Sequence, residues 1–278
     1  MDLGLEGRKA LVTGSSSGIG EATAKVLAEA GVLVAIHGRD RSRAERVAQE
    51  IRSTGGQAVV AIGDLADDEG AERVADVVDA EFGGIDILFN NAGGGGRSGR
   101  SASSSFLDLC PEDWLGQYQH NVISAVRMIQ RFVPGMKERG WGRIIQNASG
   151  IATTPREMEN DYAAAKAAVV NLTVGLAKAL AGTGITVNTV SPGLILTDKV
   201  RTSPNTFLQA FARAQGWDPT LPNEELERRW AKARGLPTSR AGRADDIAAM
   251  VALLASPRGG YVNGANIRID GGLNQAIN

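Results

Sequence analysis

The chain has 278 residues, of which 43% are hydrophobic and 22% charged, and its formal net charge is -1. This length allows one large domain with a well-buried core, and the near-neutral charge excludes the strongly basic surface of a typical nucleic-acid-binding protein. Cys110 is the only cysteine, so no internal disulfide can form and we expect a reducing, cytoplasmic location. The acidic N-terminal segment does not resemble a signal peptide, and the longest apolar stretch contains two lysines, so we expect no membrane span.

Apolar runs and helical patterns alternate along the chain. Strands are predicted at residues 8–13, 32–37, 57–62, 85–90, 143–147, 185–190 and 266–269. Helices are predicted at 18–30, 41–54, 67–82 and 161–181, and one more opens at Pro111. This alternation predicts an α/β fold in which helices cover both faces of a parallel sheet.

Two segments interrupt the alternation. Residues 93–105 are rich in glycine and serine and contain Arg97 and Arg100, which predicts a loop at the edge of a pocket. Residues 197–240 carry several aromatic side chains, and we interpret them as a substrate lid inserted within a single domain spanning 1–278. The aromatic content favours an apolar or bulky substrate, although these rings could instead pack the insertion onto the body of the protein.

A glycine-rich turn joins the first predicted strand to the first helix. Gly14, Gly18 and Gly20 allow a tight turn and a close approach to a ligand, and the following helix presents free N–H groups to a phosphate. We therefore predict a dinucleotide site at the residues of this turn: Gly14, Ser16, Ser17, Gly18, Ile19 and Gly20.

The end of the second strand discriminates between dinucleotides. An acidic residue there would bind the ribose hydroxyls of NAD, whereas this chain has Arg39, whose guanidinium suits a 2′-phosphate. Arg41 and Arg43 add positive charge. Asp40 argues the other way, because its carboxylate could still reach a ribose. We expect NADP(H), with NAD(H) as the alternative.

Tyr162 and Lys166 lie four residues apart in a predicted helix, on one face, and Ser149 lies thirteen residues before Tyr162. An ammonium beside a phenol favours the phenolate and lowers the pKa of the tyrosine. A phenol with a pKa near ~10 needs a drop of about three units for proton transfer at neutral pH, and we expect Lys166 to contribute part of it.

Together these residues resemble the short-chain dehydrogenases/reductases, in their 3-oxoacyl-reductase-like branch. The resemblance rests on the glycine turn at 13–20, Asp64-Leu65, Asn90-Asn91-Ala92-Gly93, Asn121, Ser149 with Tyr162 and Lys166, Ser191-Pro192-Gly193 with Thr197, and Asp270-Gly271-Gly272. It implies a doubly wound Rossmann fold with a seven-stranded parallel sheet in the order 3-2-1-4-5-6-7. It also implies a homotetramer, or failing that a homodimer, built on the helices around residues 111–137 and 161–181.

The resemblance also implies roles for individual residues. Tyr162 would be the general acid or base, Lys166 would lower its pKa and bind the nicotinamide ribose, and Ser149 would polarise the substrate oxygen. Asn121 would anchor a water, or satisfy backbone groups at a helix kink. The remaining cofactor contacts implied are Asp64, Leu65, Asn91, Ile195 and Thr197, and Asn90 is expected to be structural.

The predicted function is therefore an NADP(H)-dependent oxidoreductase that interconverts a carbonyl and a secondary alcohol. A 3-oxoacyl-thioester reductase and an NAD(H)-dependent alcohol dehydrogenase remain as alternatives. A catalytically silent NADP(H)-binding regulator is the alternative from another class. We expect no metal site, because His37 and His120 lie far apart without carboxylate or thiol residues at ligand spacing.

Overall fold

The computed structural model describes residues 2–94, 106–197 and 207–274, with the side chain of Phe207 left out. Seven strands form one parallel sheet: β1 Lys9–Val12, β2 Leu33–Gly38, β3 Gln57–Ile62, β4 Ile87–Asn90, β5 Gly142–Asn147, β6 Ile185–Pro192 and β7 Asn266–Ile269. Their order is β3-β2-β1-β4-β5-β6-β7. The sheet order implied by the family resemblance is confirmed.

Six helices surround the sheet: α1 Gly18–Glu29, α2 Arg41–Ser53, α3 Asp68–Phe82, α4 Pro111–Tyr118, α5 Ser124–Glu138 and α6 Asn160–Ala179. Three more follow β6 in the chain, namely α7 Phe207–Ala214, α8 Asn223–Ala233 and α9 Ala244–Ala255. Every helix in the described part of the chain is too short or too polar to cross a bilayer.

Local chemistry explains where several helices begin and end. The Asp67 carboxylate accepts a hydrogen bond from the Gly70 amide at the start of α3, and Gly83 ends that helix in the left-handed conformation (φ 66°). Pro111 occupies the first turn of α4, where its missing N–H costs nothing.

The sheet separates two apolar cores. Helices α1, α2 and α9 pack on one face through side chains such as Leu27, Val47 and Ile247, which are buried. Helices α3, α5 and α6 cover the other face through Val74, Met128 and other buried side chains. The prediction of helices on both faces is confirmed, and the carboxyl ends of the strands are left open for a ligand.

The helix predicted from Pro111 onwards is interrupted. Residues Gln119–Ile123 form a π-helical turn between α4 and α5, which widens the helix and is a common feature of functional sites. Asn121 lies within this turn.

Helices α7 and α8 form a small core of their own. Leu208, Leu226 and Trp230 are buried there, and Leu194 and Leu273 pack against the same cluster from the main body. This cluster, hereafter the lid core, belongs to the segment that we interpreted as an inserted lid. Residues 198–206 of that segment, and Arg97 and Arg100 of the glycine- and serine-rich loop, lie outside the described residues.

Candidate active site

A cavity of about 450 Å³ runs along the carboxyl ends of the strands. It is lined by eleven of the residues that we assigned to cofactor binding, namely Gly14, Ser16, Ser17, Ile19, Arg39, Asp64, Leu65, Asn91, Tyr162, Lys166 and Thr197. Gly18, Gly20 and Ile195 lie outside this lining. The two glycines shape the turn instead: a Cβ on Gly20 would lie 2.4 Å from the Gly14 carbonyl oxygen, so only glycine fits.

Buried His37 holds the glycine turn in place. The Gly14 amide donates to His37 Nδ1 over 2.9 Å, and His37 Nε2 lies 3.1 Å from the Gly63 carbonyl oxygen, so the proton belongs on Nε2. Burial lowers the pKa of His37 to about 4, which keeps the ring neutral. We had considered this histidine only as a metal ligand. The feature of the sequence that could have indicated its structural role is its position one residue before the end of β2.

Arg39 and Asp64, both predicted to contact the cofactor, contact each other. Arg39 Nη1 lies 3.3 Å from Asp64 Oδ2, and Arg43 lines the same end of the cavity. Asp40 is engaged elsewhere: its carboxylate accepts from the Ser42 hydroxyl over 2.7 Å and from the Arg43 amide over 3.2 Å, which caps α2. The Asp40 carboxylate, which was the argument for NAD in the sequence, therefore caps helix α2.

Two asparagines connect the glycine turn to Lys166. Asn91 Nδ2 donates to the Thr13 and Gly14 carbonyl oxygens over 2.9 and 3.1 Å, and Asn91 Oδ1 accepts from Asn147 Nδ2 over 2.8 Å. The Asn147 carbonyl oxygen in turn accepts from Lys166 Nζ over 2.7 Å. We had not singled out Asn147, because nothing in the sequence near the end of β5 distinguishes it from other strand residues.

The pKa of Tyr162 is raised, whereas we expected Lys166 to contribute to lowering it. Burial raises the pKa of Tyr162 to about 12, against the opposing effect of a hydrogen bond with Ser149. Burial also lowers the pKa of Lys166 to about 8. Lys166 Nζ lies 5.7 Å from the centre of the Tyr162 ring. Desolvation disfavours both charged forms and is the main cause of both shifts, and the Glu159 carboxylate also raises the pKa of Tyr162.

Tyr162 also lines a second, smaller cavity of about 170 Å³, hereafter the small cavity. Ser149 lines it as well, at the turn that follows β5, together with Arg156 and Glu159 from the segment before α6. Glu157 and Met158, from the same segment, are exposed and lie outside its lining. Tyr162 therefore stands between a long cavity and a short one.

Asn121 is buried beside the long cavity. Its Oδ1 accepts from the Gly94 amide over 2.9 Å, and its Nδ2 donates to the Gln117 carbonyl oxygen over 3.0 Å. A Cβ on Gly93 would lie 2.5 Å from Asn121 Oδ1, which explains the glycine there. The side chain thus satisfies backbone groups at the π-helical turn, one of the two roles that we had kept open.

In the described part of the lid, the aromatic side chains pack against other lid residues. Trp230 is 3% exposed within the lid core, and Trp217 packs edge-on against Phe211 with 5.7 Å between ring centres. Neither tryptophan lines the small cavity. Two basic residues of α8, Arg228 and Arg229, both pair with Glu225 over 2.8 Å.

Comparison with known proteins agrees with this architecture. Residues 8–206 match the model of the short chain dehydrogenases, and residues 214–274 match a model described as enoyl-(acyl carrier protein) reductase. The chain is 34% identical to the oxidoreductase YvaG of Bacillus subtilis, with all of both chains covered. It is 33% identical to the 3-oxoacyl-[acyl-carrier-protein] reductase FabG of Vibrio cholerae, over 98% of this chain and 99% of the relative.

Among solved structures, L-sorbose reductase from Gluconobacter frateurii, complexed with NADPH and L-sorbose, superimposes with a TM-score of 0.89. The two sequences are 32% identical, and the whole of both chains is covered. The resemblance seen in the sequence motifs is thereby confirmed. The chain belongs to the short-chain dehydrogenase/reductase family of oxidoreductases, in the branch that resembles the 3-oxoacyl reductases.

Proposed function

We propose that this protein is an NADP(H)-dependent oxidoreductase that interconverts a carbonyl and a secondary alcohol. The observation that carries the proposal is the position of Tyr162, which lines both the long cavity and the small cavity. In carbonyl reduction the substrate carbon must face the cofactor while the substrate oxygen faces an acid. A phenol between the two cavities can transfer that proton. Membership in an oxidoreductase family supports the same chemistry.

The residues of the long cavity fit a dinucleotide. Helix α1 begins at the glycine turn, and the side chain of its N-cap residue, Ser17, makes no capping hydrogen bond. The amides of the first turn are therefore available to a pyrophosphate, which the helix dipole also favours. When bound, the nicotinamide supplies or accepts the hydride. Asp64, Leu65 and Asn91 would hold the adenosine half, and Thr197 would hold the nicotinamide half.

Each of the four proposed catalytic residues would have its own role. Tyr162 gives its proton to the carbonyl oxygen in reduction and takes it back in oxidation. Ser149 donates a hydrogen bond to the same oxygen. Lys166, fixed by the Asn147 carbonyl, holds the nicotinamide ribose and supports the phenolate by its charge. Asn121 keeps the π-helical turn and the segment at Gly94 in place beside Lys166.

Replacing Tyr162 with phenylalanine tests this proposal. We expect Tyr162→Phe to lower kcat for carbonyl reduction by at least about 100-fold, because general acid catalysis commonly contributes that much. The dissociation constant for NADPH, measured by fluorescence titration, should change less than about threefold. Tyr118→Phe, on the exposed end of α4, is the matched control. A Tyr162→Phe variant with full turnover would refute the mechanism.

The preference for NADP(H) is argued from Arg39 and Arg43. Both line the end of the cavity where a 2′-phosphate would lie, and Asp40 is occupied by its role in capping α2. The NADPH bound to the sorbose reductase supports the same choice. We predict that Arg39→Asp raises KM for NADPH at least about tenfold relative to KM for NADH, because it replaces a charge-assisted contact with a repulsive one. An unchanged KM ratio would instead favour the NAD(H)-dependent alternative.

Reduction of a 3-oxoacyl thioester is the second candidate, favoured by the likeness to the Vibrio cholerae reductase. An assay that follows NADPH oxidation with ketones, aldehydes and acetoacetyl-CoA separates the two. Turnover of the thioester alone would favour the second candidate. Tight NADPH binding without turnover of any substrate would favour the silent regulator. Trp217 and Trp230 pack inside the lid, so these two side chains do not support the apolar substrate that we expected from the lid.

We also propose a homotetramer in a reducing, cytoplasmic location. The faces of α4 and α6 expose Leu115, Tyr118 and Val174, and an apolar groove lies between these helices. Exposed apolar surface of this kind is typical of an interface. The location rests on the single cysteine. Sedimentation that shows only a monomer at micromolar concentration would contradict the assembly.

A further inference from the structure

The small cavity has a charged wall. Arg156 and Glu159 line it together with Ser149, Tyr162 and Asn274. The apolar side chains of the lining are Ile151, Pro192, Leu194 and Leu273. At about 170 Å³ it is smaller than the ~300 Å³ at which pockets for drug-sized ligands begin. An apolar acyl chain placed here would contact the leucines, but it would also remove Arg156, Glu159 and Asn274 from water without offering them hydrogen bonds, which is unfavourable.

Glu159 has an unusual backbone conformation. It is one of two non-glycine residues with positive φ in the described chain, at φ 64° and ψ 34°. The left-handed region costs an ordinary L-residue about 1–2 kcal/mol, and such strain clusters at functional sites. Glycine or asparagine would fit this position more easily, so the structure itself gives no reason for a glutamate.

The usual structural roles of an acidic residue do not account for Glu159. It occupies the N-cap position of α6, yet its side chain makes no capping hydrogen bond. Within residues 2–94, 106–197 and 207–274, its carboxylate has no ion pair within 4.0 Å, even though Arg156 lines the same cavity. Glu159 is thus a half-buried carboxylate on a strained backbone, three residues before Tyr162, and it lines the small cavity.

We infer that the small cavity binds a small, neutral polyhydroxylated carbonyl compound, with Glu159 accepting a hydrogen bond from a hydroxyl group near the reacting carbon. A hydroxyl is the donor that a carboxylate needs, and Arg156 and Asn274 offer donors to further hydroxyl oxygens. The opposite charges of Arg156 and Glu159 make the wall neutral overall, which disfavours a net anion. This inference rests on the proposed oxidoreductase function and specifies its substrate class.

The test compares pairs of ketones with the same carbon chain, with and without hydroxyl groups. Erythrulose is paired with butan-2-one, and L-sorbose with hexan-2-one. Acetoacetyl-CoA and 5-keto-D-gluconate represent a thioester and an anionic sugar acid. We expect kcat/KM of the wild-type protein with NADPH to be higher for the hydroxylated member of each pair than for its partner, the thioester or the anion.

Three variants assign the preference to Glu159. Glu159→Gln and Glu159→Gly should lower kcat/KM for the hydroxylated ketones at least about tenfold, the scale of a lost hydrogen bond to a charged group. Any loss of kcat/KM for the simple ketones should be smaller than the loss for the hydroxylated ketones. Glu159→Gly should melt at the same or a higher temperature than the wild type, because it relieves the backbone strain. Glu157→Gln, on an exposed neighbour outside the cavity lining, is the control and should change none of these values.

The outcomes of this test distinguish a wrong substrate class from a wrong oxidoreductase function. Higher kcat/KM for a simple ketone, the thioester or the anion than for the hydroxylated ketones would overturn the inference while leaving the oxidoreductase function intact. Equal losses on both members of a pair in the Glu159 variants would also overturn it. Failure to oxidise NADPH with every compound of the panel would count against the proposed function itself.

Discussion

At the scale of single residues, burial sets the direction in which the pKa values of Tyr162 and Lys166 are shifted. The phenol is held neutral by a pKa of about 12, and the pKa of the lysine is lowered to about 8. In the mechanism that we propose, a bound substrate and cofactor supply the interactions that favour the phenolate during turnover. This is typical of an active site whose charged forms are stabilised only in the working complex.

This burial predicts that Lys166 lowers the stability of the folded protein. Its folded pKa of about 8 lies below the ordinary value of 10.5, so the penalty is fully present below pH 8 and disappears as the pH rises towards 10.5. Lys166→Met should abolish turnover yet raise the free energy of unfolding at pH 7 by about 1–2 kcal/mol, after the lost hydrogen bond to Asn147 is subtracted.

Urea denaturation at pH 7 and pH 10 measures this effect. The advantage of Lys166→Met should shrink at the higher pH, where the wild-type lysine is largely neutral. Lys178→Met, at an exposed position on the same helix, should show no such change between the two pH values. A Lys166→Met variant less stable than the wild type at pH 7 would contradict this account.

At the scale of elements, the lid core is joined to the small cavity by two leucines. Leu194 and Leu273 line that cavity and also pack against Trp230 and its neighbours. The packing of α7 against α8 thus affects the shape of the cavity even though the lid tryptophans do not line it. The long cavity depends on other elements, chiefly the turns after β1 to β5.

We therefore predict separate effects on substrate and cofactor when the lid core is weakened. Trp230→Ala removes a large buried side chain, a change that commonly costs about 3–5 kcal/mol, and it should raise KM for the carbonyl substrate at least about fivefold. The dissociation constant for NADPH should stay within about twofold. Trp141→Ala, which removes a ring packed between Arg8 and Arg143 away from the lid, is the control for general destabilisation.

At the scale of the whole molecule, the parallel order of the sheet brings the ends of β1, β2 and β3 to one edge. Gly14, His37 and Gly63 come from these three strand ends and are linked by the two hydrogen bonds of the imidazole ring. A neutral histidine is thus built into the centre of the fold. Its protonation would break the bond from Gly14, because Nδ1 could no longer accept.

This arrangement predicts a loss of stability in mild acid. The pKa of folded His37 is about 4, below the ordinary 6.5, so the unfolded state takes up a proton first and stability falls as the pH drops from 6.5 towards 4. The fall due to His37 should approach about 3 kcal/mol at pH 4. His37→Asn is less stable at pH 7, but its disadvantage should shrink as the pH falls. A constant difference between the two proteins across that range would contradict this role.

The sequence predicts the fold well, and most of the residues that it proposes for the site line the two cavities, because the information is local. Alternating apolar runs placed the strands within about two residues of their observed ends. Glycine spacing identified the turn after β1, and the spacing of Ser149, Tyr162 and Lys166 identified residues that meet at the two cavities. Helical periodicity missed the π-helical turn at Gln119–Ile123, since an extra residue in one turn leaves little trace in the pattern.

The sequence by itself determined the order of strands and helices, the position of the glycine turn after β1 and the family. Only the tertiary structure showed that Arg39 pairs with Asp64, that Asn147 links Asn91 to Lys166, and that Glu159 faces the small cavity from a strained backbone. The physical reason is that burial and pairing depend on groups far apart in the chain. Tyr162 and Lys166 are neighbours on one helix, but their pKa values depend on how much solvent the folded protein excludes.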